Sequence, residues 1–72
     1  MKLRPARVRE VQRVLERLGF RLVRQKGSHA VYRHPDGRYT TVPVHRGDVP
    51  RGTLARILKD IGLSPEEFEQ LR

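Results

Sequence analysis

The chain has no cysteine, no tryptophan and no asparagine, and its 72 residues include only two Phe and two Tyr. Without cysteine there is no disulfide framework and no thiolate metal site. So few aromatics are too few for a stacking platform. Long apolar runs are also missing. The segment Met1-Lys2-Leu3-Arg4-Pro5 lacks the apolar core of a signal peptide, and no stretch approaches membrane-spanning length, so a cytoplasmic protein is expected. The three histidines and the scattered carboxylates show no ligand spacing, and neither a metal nor any other cofactor is expected. A chain of 72 residues is expected to form one domain over 1–72. That is near the lower limit for a self-sufficient core, so stability must come from good packing or from a partner.

Acidic residues are scarce in one half only. Residues 1 to 34 hold ten Lys/Arg and two Asp/Glu, a balance of +8, whereas residues 35 to 72 hold six of each. The whole excess therefore belongs to the first helix and the first hairpin. A surface charged for solubility needs no such asymmetry, whereas a docking face for a polyanion does. Thirteen of the sixteen cations are arginine, the side chain suited to bidentate phosphate contacts.

The apolar periodicity predicts an α+β order. Val8, Val11, Val14, Leu15 and Leu18 form a helical stripe that begins near Pro5 or Ala6 and ends at Gly19, with Arg9, Arg13 and Arg17 on the opposite face. Strands are expected over Phe20 to Lys26 and Ser28 to Arg33, turning at Gly27. The Pro35-Asp36-Gly37 turn then leads into Arg38 to Val44, which Pro43 places at a sheet edge. The buried face of the hairpin stays open, because Leu22 and Val31 favour one parity and Val23 and Tyr32 the other. After a loop from His45 to Gly52, Leu54, Ile57, Leu58 and Ile61 mark a second helix from about Thr53, closed by Gly62. Ser64-Pro65-Glu66-Glu67 is a capping box that opens a short last helix docking Phe68 and Leu71. Both main helices are expected on one face of a three-stranded antiparallel sheet, which leaves the other face free.

Gly27-Ser28-His29 is the segment that points to chemistry. Glycine permits a tight turn, and the histidine is displayed directly after it among Arg24, Lys26 and Arg33, whose donors suit phosphate. On the residues alone, His29 either ends a turn and bonds a neighbour or transfers protons on nucleic acid. Ser28 has no base with a claim on it, so its hydroxyl caps the turn or touches a phosphate. His34, beside Pro35, reads as a solvent-facing turn residue. Arg9, Arg13 and Arg17 rank as a secondary contact.

Several motifs resemble the HicA family of toxins. They are Gly19-Phe20, Arg24-Gln25-Lys26-Gly27-Ser28-His29, Val42-Pro43-Val44-His45, Gly52-Thr53-Leu54, Ile57-Leu58-Lys59 and Gly62-Leu63-Ser64. Together they span nearly the whole chain in the family's order. The resemblance implies a double-stranded-RNA-binding-like αβββα domain, which agrees with the order read from periodicity. It also implies an endoribonuclease acting on mRNA that depends on the histidine of the triplet, His29, and a HicB-type antitoxin that covers the site.

RNA carries its own nucleophile, so such a site needs a base for the 2′-hydroxyl, an acid for the leaving 5′-oxygen and cations for the phosphorane. His29 is the base candidate and Arg24, Lys26, Gly27, Ser28 and Arg33 are the RNA-binding candidates. His45 is the candidate second acid or base: the two plausible registers after the Asp36-Gly37 turn pair position 29 with 44 or with 43, and they place His45 on opposite faces. His45 bonding only the following loop is the competing reading. Two other functions compete: a non-catalytic nucleic-acid-binding module of the same fold, and a protein-interaction module whose basic face meets an acidic partner.

Overall fold

Two apolar stripes and one alternating hairpin fix how the layers stack. The computed structural model describes residues 3–44 and 47–72. The chain enters through a two-residue strand, β1 (Ala6–Arg7), and continues into α1 (Val8–Arg17), whose Val11, Val14 and Leu15 are buried. Gly19, with φ +94°, lies just past the end of α1. There Gly19 N donates to Glu16 O (3.1 Å) and Phe20 N to Leu15 O (2.9 Å), the paired bonds of a glycine-closed helix end. The helix begins later than the expected Pro5 or Ala6 because Ala6 is drawn into strand pairing.

The sheet consists of β2 (Arg21–Lys26), β3 (His29–Arg33) and β4 (Tyr39–Pro43), antiparallel, with β3 in the centre. Ala30, Tyr32, Thr40 and Val42 point inward and are buried; His29, Val31, Arg33, Tyr39, Thr41 and Pro43 take the other parity. A bulge between Leu22 and Arg24 explains the conflicting hairpin signals. Leu22 lies opposite Tyr32, Arg24 lies opposite Val31, and Val23 is the extra residue between them. Alternation read through that point changes face. The expected edge position of Pro43 is correct, since β4 has β3 on one side only.

After β4 comes β5 (Asp48–Val49), which pairs antiparallel with β1. No periodicity foretells this ribbon, as each strand has two residues. Helix α2 (Arg51–Ile61) starts two residues before the expected Thr53, buries Leu54, Ile57, Leu58 and Ile61, and closes on Gly62 at φ +72°. Helix α3 (Pro65–Leu71) opens with the expected capping box: Ser64 N donates to Glu67 Oε1 (2.9 Å) and Glu67 N to Ser64 Oγ (3.1 Å). The stripes of α1 and α2, Phe20, Phe68 and the inner sheet residues form one core. Among the described residues no helix is long and apolar enough to cross a membrane.

Polar ties lock α2 to the sheet. Thr40, the buried polar residue of β4, donates its hydroxyl to Asp60 Oδ2 (2.9 Å). Arg56 bonds the same carboxylate oxygen (2.9 Å) and the carbonyl of Thr41 (2.7 Å). Arg38 holds Asp36 (2.8 Å), donates to the Ile61 carbonyl at the end of α2, and sets its guanidinium 5.2 Å from the centre of the Phe20 ring.

Candidate active site

A two-residue turn, Gly27-Ser28, joins Lys26 to His29. Gly27 has φ +58°, and among the described residues no non-glycine residue has positive φ. That combination is the type II′ pattern, whose twist matches a hairpin. A Cβ on Gly27 would meet nothing within 4 Å, so the backbone angle, not space, calls for glycine there. The Gln25 amide donates to the Gly27 carbonyl (3.3 Å), and Val44 N donates to Ser28 O (2.7 Å), carrying β4 along the turn.

His29 is the first residue of β3 and is paired on both sides, with Lys26 of β2 and with Pro43 of β4. Directly opposed residues share a face, so the Lys26 ammonium and the His29 imidazole project together from the uncovered side of the sheet. Both are exposed. Arg24, paired with Val31, occupies the same face one step along. Arg33 also lies on this face, but four residues from His29, or about 13 Å along the strand. It flanks the far end of the sheet beside Arg21. Among the described residues, Arg21, Arg24, Lys26 and Arg33 have no carboxylate at ion-pair distance and nothing bonds the His29 imidazole.

The expected residues thus divide. Lys26, Gly27, Ser28 and His29 are contiguous, Arg24 adjoins them, and Arg33 is at a distance on the same face. His45 lies outside the described residues. The pairing of His29 with Pro43 is the register of the longer, three-residue loop, Pro35 to Gly37, with Gly37 at φ +99°. Arg9 and Arg13 sit on the side of α1 turned away from the core, across the molecule from His29. Arg17 shares that side and donates to the Leu71 carbonyl (3.3 Å).

His34 differs from its expected role as a solvent-facing turn residue. Its ring lies 5.0 Å from that of Phe20, and Nδ1 accepts from Asp36 N (3.1 Å). A Cβ on Gly19 would come within 3.2 Å of Nε2. His34 is therefore a packing residue of the β3–β4 turn. Tyr39 has no role in the sequence reading and Val23 only a parity role, yet both stand on or beside the His29 face, 65% and 57% exposed. The parity of Tyr39 follows only once the register is known.

A model of the HicA toxin of bacterial toxin–antitoxin systems matches residues 8–63 of the 72. The chain belongs to the HicA toxin family. The match runs from the first residue of α1 to Leu63 after α2, so it takes in the whole three-stranded sheet and the His29 turn. As a HicA toxin the chain is the toxic component of such a pair, in a family whose members generally cleave RNA and are held by a cognate antitoxin. No curated protein sequence matches the chain significantly.

Proposed function

We propose that this HicA toxin is an endoribonuclease that cuts mRNA without a metal, with His29 moving protons and Lys26 and Arg24 holding the phosphate. The observation that carries the reading is the direct opposition of His29 and Lys26 on an uncovered, acid-free sheet face. A packed histidine would be enclosed; this one is presented.

The imidazole of His29 accepts the proton of the 2′-hydroxyl, and the 2′-oxygen bonds to the adjacent phosphorus. Charge building on the non-bridging oxygens is met by the Lys26 ammonium and the Arg24 guanidinium. The bond from phosphorus to the 5′-oxygen then breaks, and an acid supplies that oxygen with a proton. His45 is our candidate for the acid. Gly27 and Ser28 present backbone and hydroxyl groups to the phosphate, and Arg33 holds the strand further along the sheet. The nucleophile belongs to the substrate and the neutralising charge to the protein, so the reaction requires no metal-activated water. A HicB-type antitoxin silences the enzyme by setting carboxylates on these same cations.

The test is cleavage, in excess chelator, of an all-ribo oligonucleotide and of its twin with one deoxy substitution at the cut site. The expected products carry a 2′,3′-cyclic or 3′-phosphate and a free 5′-hydroxyl, and the deoxy twin stays whole. Loss of activity in chelator, or cutting at the deoxy position, contradicts the mechanism. Binding without any cleavage would instead make the chain a non-catalytic RNA-binding module.

A further inference from the structure

Three of the four Phe and Tyr side chains, Phe20, Tyr32 and Phe68, are buried in the core. Tyr39 is the exception at 65% exposed. Covering an aromatic ring that stands in water at a defined strand position would be favourable. Its surroundings are specific. Tyr39 is paired with Arg33, which is paired in turn with Arg21, so a tyrosine and two arginines form a row across the three strands on the His29 face. Beside that row, Val23, Val31, Arg33, Gly37 and Tyr39 line a shallow hollow of about 320 Å³. Two valines, one aromatic ring and one arginine thus share its lining.

We infer that Tyr39 is a nucleobase-stacking site, which holds an unpaired base of the RNA while Arg33 and Arg21 hold the neighbouring phosphates. This rests on the RNA reading of the same face. An aromatic face binds a base only where the base's own face is open, so the ligand is single-stranded rather than duplex. A polypeptide strand fixes the Tyr39 backbone and only two side-chain torsions remain to be ordered, so little entropy is lost on binding. The site lies four residues along β4 from Pro43, the partner of His29. That distance of about 13 Å corresponds to roughly four nucleotides of a stacked strand, or fewer if it is splayed. Tyr39 thus sets which part of the strand reaches His29, and it tolerates any base because every base has a π face.

The absence of tryptophan makes the test direct, since emission comes from Tyr32 and Tyr39 alone and only Tyr39 is exposed. The probe is a single-stranded 2′-O-methyl decamer, which has no free 2′-hydroxyl and so is not consumed. We expect it to quench tyrosine emission in the wild-type protein. Tyr39→Phe should keep the affinity and lose the quenching, and Tyr39→Ala should bind roughly 5- to 100-fold more weakly at an unchanged melting temperature. Binding without quenching, with equal affinity in Tyr39→Ala, would overturn the inference and leave the RNA reading standing. If Tyr39→Ala keeps its oligonucleotide affinity but loses antitoxin binding, the residue belongs to the antitoxin interface instead and the inference is equally wrong. Failure of the wild-type protein to bind the decamer at all would bring down the RNA reading itself.

Discussion

Arginine has opposite roles at two places in this molecule. Where α3 comes against Pro5 and α1, Arg72 bonds Glu10 (3.0 Å), Glu69 (3.0 Å) and the Pro5 carbonyl (3.1 Å), and its guanidinium lies over the Phe68 ring. Arg4 takes the other oxygen of Glu69 (3.1 Å). The side chains of Arg4, Glu10, Glu69 and Arg72 are thus all paired. On the outer sheet face the cations stand apart, because the one acid between Phe20 and Val44 is Asp36, in the turn and already held by Arg38. Fold and function compete for the same residue type here, and the carboxylates decide which claim wins. A cation supplied with an acid is structure; a row of cations denied one is kept for an anion from outside.

If that contrast is right, substitutions at the two places should separate activity from stability. The largest effect belongs to His29→Ala, which should lower the cleavage rate by roughly 10²–10⁴-fold, the usual contribution of a general acid or base. Because the side chain is exposed, the melting temperature should not move; a stable variant with full activity would break the contrast. Arg72→Ala should do the reverse. Losing its charged hydrogen bonds should cost about 1–2 kcal/mol, or roughly 4–16 °C in melting temperature for a chain of this size, with cleavage of the remaining folded protein unchanged.

The same corner sets the acid limb of stability. Hydrogen bonds from Arg72, and then from the Arg7 backbone, hold the Glu10 carboxyl below its ordinary value; Arg4 and then Arg72 do the same for Glu69. A carboxylate depressed in the folded state stabilises it above the unfolded value, about pH 4.3, and that gain is lost as pH falls through the folded value. Thermal stability should therefore drop below about pH 4, and Arg72→Ala should flatten that drop. An acid limb that is the same in both proteins would remove the corner from the account. The smallest effect is Lys26→Ala, which should weaken oligonucleotide binding and reduce the slope of log affinity against log salt by about 0.7, one single-strand phosphate contact. An unchanged slope would mean that Lys26 touches no phosphate.

The sequence discloses the features in which one residue type carries one signal. The α1 and α2 stripes, the Ser64 capping box, the edge position of Pro43 and the Gly27 turn with His29 behind it all read directly. Hairpin parity does not, because the bulge at Val23 reverses the alternation within a strand of six residues. The β1–β5 ribbon is too short for any period to register. His34 looked solvent-facing because nothing local shows that Phe20 and Gly19 come to lie against it. Tyr39 needed the register, since a loop one residue shorter would have turned it inward.

On the proposed mechanism the toxin meets its partners on the uncovered sheet face and not at the paired corner. Amide hydrogen exchange of the toxin, alone and with its cognate antitoxin, tests this most directly. New protection is expected over Arg21 to Arg33, around the His29 turn, with unchanged exchange in α3 and the first turn of α1. A complex that left the hairpin exchanging freely and shielded the corner of Glu10, Glu69 and Arg72 would contradict it.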